Sequence, residues 1–94
     1  MKLYQINKSM YPQSVEQDWQ LSLVSGDAVL LMEVGVLRAL TQQSMLTQLI
    51  EKGVNLYFRE HDLTANGLSV SFGEAISDPH WVDLTTQYDK IVSW

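Results

Sequence analysis

Histidine and acidic side chains are the groups in this sequence that could bind a metal ion or act as general acids and bases. His61 and His80 are the only histidines, and each lies next to acids, within residues 60–62 and 78–80. The sequence lacks two histidines one helical turn apart, the local spacing that brings metal ligands together. We therefore predict no metal site and interpret both histidines as solvated loop residues.

Glu33 is the acid in the most suggestive position for catalysis. It follows an apolar strand pattern directly, and open α/β sheets bind ligands outside the carboxyl ends of their strands. No nucleophile, second acid or cofactor motif accompanies it. We therefore predict no catalytic residue and interpret Glu33 as a surface or helix-start acid. A small enzyme that uses Glu33, His61 or His80 stays an alternative.

Two absences narrow the chemistry further. The 5 glycines are too far apart for a phosphate-binding loop, so no cofactor is predicted, and Gly35 is the one glycine near the expected ligand crevice. Cysteine is absent from the sequence. This excludes disulfides, thiolate metal ligands, a thiol nucleophile and any persulfide carried on this polypeptide.

The length and net charge of the sequence indicate the broad class of protein. The 94 residues suit one compact domain, which we place at residues 1–94. The net charge is −5 and the 6 basic residues are scattered, so direct nucleic-acid binding is not expected. The first residues lack the apolar region of a signal peptide, and no apolar run approaches a membrane span. We therefore expect a cytoplasmic protein without membrane association.

Short apolar runs that alternate with helical patterns predict an α/β fold. The run from Ala28 to Met32 has no polar alternation, which is typical of a central strand covered on both faces. We expect a mainly parallel sheet of about five short strands with helices on both sides. The other predicted strands are Leu3–Ile6, Val54–Phe58, one within Leu68–Ile76, and Ile91–Trp94.

Capping patterns predict where the helices start and stop. Gln42–Ser44 interrupts an apolar helical face, which indicates two helical pieces between the second and third strands. The predicted starts are Ser14 with Gln17 as a capping box, Ser44, Asp62, and Asp78 followed by Pro79. The predicted stops are Gly26, Gly53 and Gly67.

Three tryptophans are candidates for partner contacts, because tryptophan is enriched in buried interfaces. We favour core packing over an interface for Trp19 and Trp81, whereas both interpretations stay open for Trp94. The candidate partner-interface residues are Trp19, Glu33, Gly35 and Trp94.

Four segments, in order along the chain, form a recognisable pattern. They are LYQINKS at 3–9, GDAVLLMEVGV at 26–36, VNLYFREHDLTANGL at 54–68 and WVDLTTQYDKIVSW at 81–94. Together they resemble the TusB/DsrH family, and the resemblance spans nearly the whole chain. Its most specific parts are EHDLTANGL after the third strand and the closing SW.

The resemblance implies a small three-layer DsrE/F/H-like fold and a place in a larger assembly. Members of this family join TusC/DsrF-like and TusD/DsrE-like subunits in a dimer of heterotrimers, and the relay cysteine belongs to the TusD/DsrE-like subunit. The Tus branch supports 2-thiolation of the tRNA wobble uridine, while the Dsr branch serves oxidation of stored sulfur. We therefore expect a non-catalytic subunit of a TusBCD-like sulfur-relay complex.

Two departures from the family bear on this expectation. DsrH proteins carry a cysteine that falls near Trp19 in an ungapped register, and it is missing here, which favours the TusB side. Val34 stands where the family often has aspartate. The alternatives are a DsrH-like subunit of a sulfur-oxidation complex, and a stand-alone regulatory or interaction module of the same fold.

Overall fold

Short strands and helices alternate along the chain around a single sheet. The computed structural model describes residues 1–94. The strands are β1 (Lys2–Ile6), β2 (Ala28–Leu31), β3 (Asn55–Arg59), β4 (Glu74–Ile76) and β5 (Lys90–Ser93). The helices are α1 (Gln13–Leu21), α2 (Arg38–Thr41), α3 (Gln43–Glu51), α4 (Glu60–Ala65) and α5 (Asp78–Gln87), with a 3-10 helix at Glu33–Leu37 directly before α2.

All five strands run parallel, in the order β4-β3-β2-β1-β5. The predicted α/β class with a mainly parallel sheet is therefore confirmed. Every residue of β2 is buried, as its unbroken apolar pattern predicts for a central strand. The predicted break between two helical pieces is also confirmed, because Gln42 leaves helical geometry between α2 and α3, with φ −133° and ψ 33°.

Helices cover both faces of the sheet, but unequally. The larger core lies under α1, α3 and α4, and its contributors include Trp19, Leu46 and Leu63. The smaller core lies under α5, where Leu84 packs with Leu3 of β1. Right-handed crossovers explain this division, because β1 to β4 step in one direction across the sheet and the β4–β5 connection returns across it.

The predicted caps of α1 and α3 are wrong. Neither helix has a side-chain cap, and both Ser14 and Ser44 lie inside the helices that they were expected to start. The break before α3 falls at Gln42, the first residue of the predicted interruption Gln42–Ser44. Ahead of α1, the backbone N–H of Tyr11 donates to the Glu16 carboxylate at 3.1 Å, which joins the loop to the first turns of the helix.

The predicted caps of α4 and α5 are also wrong. Asp62 lies inside α4, and Asp78 is the first residue of α5, whose cap is Ser77. The Ser77 hydroxyl accepts the backbone N–H of His80 at 3.3 Å. Both aspartates instead form charge-assisted bonds to the guanidinium of Arg59.

None of the helices is both long and apolar enough to span a lipid bilayer.

Candidate interaction site

The carboxyl ends of the five strands meet at one edge of the sheet, which we call the carboxyl edge. Parallel pairing requires this, and ligands of open α/β sheets bind there. The edge carries the loop 7–12 after β1, Glu33 after β2, residues 59–62 after β3, and Trp94 after β5. Three of the four predicted interface residues, Glu33, Gly35 and Trp94, therefore lie at this edge.

A buried arginine holds the loop 7–12 in place. The side chain of Arg38 is 0% exposed and forms a two-pronged ion pair with Glu16, at 2.6 and 2.9 Å. Its Nε donates to the Lys8 carbonyl at 2.9 Å, and its Nη1 donates to the Gln42 side chain at 3.0 Å. We call Arg38 and Glu16 the Arg38 clamp, since together they join α1, α2 and the loop.

Aromatic rings enclose the clamp and complete its hydrogen bonds. The Arg38 guanidinium lies 5.4 Å from the ring centre of Tyr11 and 5.3 Å from that of Trp19. The Trp19 indole N–H donates to Glu16 at 3.2 Å. Burial alone would raise the pKa of Glu16, but hydrogen bonds from Arg38 and Trp19, together with the charge of Arg38, hold that pKa below its ordinary value.

Tyr11 connects the loop to the end of β5. Its hydroxyl lies 2.8 Å from the Trp94 carbonyl, to which it donates, and 3.4 Å from the backbone N–H of Asn7. The Trp94 ring stands edge-on to Tyr4, with 5.5 Å between ring centres. Burial raises the pKa of Tyr11 above its ordinary value. Aromatic residues thus connect β1, the loop 7–12 and the end of β5.

A series of hydrogen bonds and ion pairs fixes the backbone at Glu33. This residue has a left-handed φ of 51°, and its N–H donates to the buried Asp62 carboxylate at 2.7 Å. Arg59 lies 3.3 Å from the same carboxylate and also binds Asp78 at 2.9 and 3.1 Å. The exposed side chain of Glu33 has no hydrogen bond or ion pair within the chain. Its carboxylate is therefore free to bind a partner.

Gly35 allows the 3-10 helix to lie against the end of β1. A Cβ atom at this position would stand 2.4 Å from the Ile6 carbonyl oxygen, a backbone atom that cannot move aside cheaply. The residue is buried. Gly35 therefore serves close packing and offers no side chain to a partner.

Replacing Gly35 by alanine is expected to lower the free energy of unfolding by about 1 to 3 kcal/mol, the usual range for overpacking. The added methyl group would push the 3-10 helix away from β1. Denaturant unfolding of the two proteins, followed by circular dichroism, measures the difference. A loss below about 0.5 kcal/mol, the scatter of neutral surface changes, would contradict this close approach.

The two histidines lie on helices and not on the predicted loops. His61 is exposed on α4, whereas His80 on α5 is half-buried with its ring edge-on to Tyr57 at 6.2 Å. An open groove of about 420 Å³ between these helices has no hydrophobic lining residue. No three His, Cys, Asp or Glu side chains stand close enough together to hold a metal ion. The lining residues are Glu60, His61, Thr64, Ser77, Asp78 and Pro79.

The fourth predicted interface residue, Trp19, lies in the core beneath Arg38, and its side chain is 0% exposed. In the isolated chain it has no surface for a partner to contact.

Sequence reasoning missed Arg38, although a single charged residue inside the apolar run VGVLRAL was a visible signal. It also missed Tyr11, whose bond to the Trp94 carbonyl joins residues 83 apart in the sequence and leaves no local signal.

Comparison with known proteins places the chain in a family. A family model described as DsrH like protein matches residues 8–91. The chain belongs to the DsrH-like family. Curated relatives named Protein TusB, from Yersinia pestis (strain Pestoides F) and Yersinia pseudotuberculosis serotype O:1b (strain IP 31758), are 30% identical over 95 residues. These alignments cover 98% of this chain and 99% of each relative.

The TusB/DsrH resemblance seen in the sequence is therefore confirmed. The matched residues of the DsrH-like family model include the loop 7–12 from Lys8 onwards, the Arg38 clamp and Glu33. Membership of the DsrH-like family fits a subunit of a multi-protein sulfur-relay complex.

Proposed function

We propose that this protein is a non-catalytic subunit of a TusBCD-like sulfur-relay complex in the cytoplasm, and that the complex supports 2-thiolation of the tRNA wobble uridine. Its partners are a TusC/DsrF-like and a TusD/DsrE-like subunit, in a dimer of heterotrimers. The observation that carries the proposal is a DsrH-like chain without cysteine, with relatives named Protein TusB.

The chemistry of sulfur transfer explains why the missing cysteine matters. A persulfide moves when a thiolate attacks the outer sulfur of a donor persulfide, so the acceptor must itself carry a thiol. With no cysteine, this chain cannot accept the sulfur. It can act on the relay only through the neighbours that it contacts, and its carboxyl edge offers them fixed geometry and an unpaired acid.

Deletion of the gene is expected to abolish most 2-thiouridine at the wobble position, because the relay would lose one subunit of its assembly. Mass spectrometry of digested tRNA measures the modification, and expression of the wild-type chain in the deletion strain is the control. The same strain with a tagged chain should yield two small DsrE-related proteins on affinity capture.

Two outcomes would contradict the proposal in different ways. Capture of both relatives with normal thiolation would favour a DsrH-like role in sulfur oxidation. Capture of neither relative with normal thiolation would favour a stand-alone module of the same fold.

A further inference from the structure

The groove between α4 and α5 lies at a topological switch point of the sheet. β3 leads into α4, whose Leu63 packs in the larger core, whereas the neighbouring strand β4 leads into α5, whose Leu84 packs in the smaller core. The chain therefore leaves two adjacent parallel strands towards opposite faces of the sheet. Glu60 directly follows β3 and Ser77 directly follows β4, so both walls of the groove begin at this point. Open α/β sheets bind their ligands in such crevices.

The groove has the size and the free polar groups that a small ligand needs. Its volume of about 420 Å³ falls within the range of about 300 to 1,000 Å³ that is usual for ligand pockets. The side chains of Glu60, His61 and Thr64 line it without a hydrogen bond or ion pair to the rest of the chain. A ligand would therefore meet unoccupied polar groups and no hydrophobic residue.

The charges of the groove favour a cation. Glu60 and Asp78 both line it, whereas no lysine or arginine does. The Arg59 guanidinium beside Asp78 holds the pKa of that carboxyl below its ordinary value, so Asp78 stays ionised at neutral pH. Arg59 also binds the buried carboxylate of Asp62, so one guanidinium serves two acids. Glu60 is thus left without a cation of the chain's own.

Anions and metal ions fit the groove less well than an organic cation. The first turns of α4 and α5 would attract an anion, but each helix already begins with an acid, Glu60 or Asp78. These carboxylates would repel a second negative charge. No three side chains stand close enough together to hold a metal ion. An organic cation needs only hydrogen-bond acceptors, and the carboxylates and hydroxyls of the groove supply them.

We propose that the groove between α4 and α5 binds an organic cation by its ammonium or guanidinium group. Glu60 supplies the unpaired charge, while the Thr64 hydroxyl and the remaining lone pairs of Asp78 accept further N–H bonds. The cation belongs to a free small molecule or to a lysine or arginine side chain of another protein, which present the same chemistry. This inference goes beyond the proposed function and depends on none of its steps, because it uses only the groove.

Titration of the isotopically labelled full-length chain with agmatine, which carries an ammonium and a guanidinium group, tests the proposal by NMR. We expect saturable shifts of the amide signals within residues 60–64 and 77–80. The dissociation constant should be about 1 to 10 mM at low salt, which is ordinary for a ligand of about ten heavy atoms in an open site. Butylurea, a neutral molecule of similar length, should leave these signals in place. The absence of saturable shifts with agmatine would overturn the proposal, and so would shifts spread over all the surface acids.

Charge variants with a matched control assign the contact to Glu60. Glu60→Gln keeps the size of the side chain and should raise the dissociation constant of agmatine about threefold, as loss of one exposed ion pair does. Glu60→Lys puts a cation into the groove and should raise it about tenfold or more. The control is Glu51→Gln, an exposed acid at the end of α3 and thus at the opposite edge of the sheet, which should stay within about 1.5-fold of wild type. Equal dissociation constants for Glu60→Gln and Glu51→Gln would overturn the proposal.

Two further measurements decide the class and the source of the ligand. If inorganic phosphate shifts these amide signals and agmatine does not, the groove binds an anion and the proposal is wrong. Affinity capture of tagged wild type and tagged Glu60→Gln from their own cells then separates the two sources of the cation. A co-purifying protein that Glu60→Gln recovers about threefold less well would supply the cation from its own side chain. Equal recovery of every co-purifying protein, together with saturable agmatine binding by wild type, would assign the groove to a free small molecule.

Discussion

Replacing Glu16 by glutamine is expected to lower the free energy of unfolding by about 3 to 5 kcal/mol, the usual cost of leaving a buried charge without its partner. An arginine guanidinium carries a permanent charge, and here that charge would stay buried against the rings of Tyr11 and Trp19. Urea unfolding at neutral pH measures the change. A loss below about 1 kcal/mol would mean that the pair behaves like an exposed salt bridge.

The matched control replaces both partners, Glu16 by leucine and Arg38 by methionine. Buried ion pairs often tolerate replacement by apolar residues, because neither charge is then left unpaired. The double variant should therefore be more stable than Glu16→Gln alone. It should stay less stable than wild type, since the Lys8 carbonyl and the Gln42 side chain lose their donor.

The Arg38 clamp also predicts how stability changes with pH. The pKa of Glu16 is lower in the folded protein than in the unfolded chain, so this carboxyl contributes stability that is present above the unfolded value of about 4.3. That stability is lost as the pH falls through the lower folded pKa. In Glu16→Gln, the loss of stability that protonation of Glu16 causes at acid pH should be absent. Buried Asp27 should retain its own part, because backbone amides of Lys2 and Val24 outweigh the effect of burial and hold its pKa low.

The clamp connects the core to the proposed function. Arg38 projects from the helical segment that follows β2, and it holds the loop that carries Tyr11. Loosening the clamp would free both at once. Arg38 is therefore best regarded as a positioning residue for the carboxyl edge, because it has no exposed surface of its own.

The parallel sheet could be predicted because its signals are local. The run from Ala28 to Met32 is apolar at every position, as a strand covered on both faces requires, and helical patterns separate the strands. The order of the strands was not predicted. It depends on the direction in which each crossover steps, and β5 pairs with β1 across 88 residues of sequence.

The caps of α4 and α5 could not be predicted because both candidate aspartates bind Arg59 instead. Asp62 and Asp78 each match a local capping signal, yet Arg59 draws both carboxylates. A local capping signal considers only the backbone N–H groups near an aspartate. In the folded protein, the guanidinium of Arg59 competes with those groups for the carboxylate. Asp62 gains a second role in this way, because it fixes the backbone of Glu33 across 29 residues of sequence.

Replacing Trp19 by alanine is expected to lower the free energy of unfolding of the isolated chain by about 3 to 5 kcal/mol, since the side chain is fully buried. A chain of this size has a total free energy of unfolding of about 5 to 14 kcal/mol, so this loss would be a large share of its stability. The indole also donates a hydrogen bond to Glu16 and packs on Arg38, and both contacts disappear with it. Trp19→Phe should cost less, because it keeps most of the volume, although it loses the N–H donor and part of the ring system.

This experiment separates a core role from an interface role for Trp19. A core residue lowers stability when no partner is present, whereas an interface residue leaves the isolated chain unchanged and weakens partner capture. The matched control is Leu21→Ala on the same helix, where leucine is 78% exposed and the expected change is within about 0.5 kcal/mol. If Trp19→Ala and Leu21→Ala unfold at the same urea concentration while only Trp19→Ala loses its partners, Trp19 must face a partner. The buried position beneath Arg38 would then be wrong.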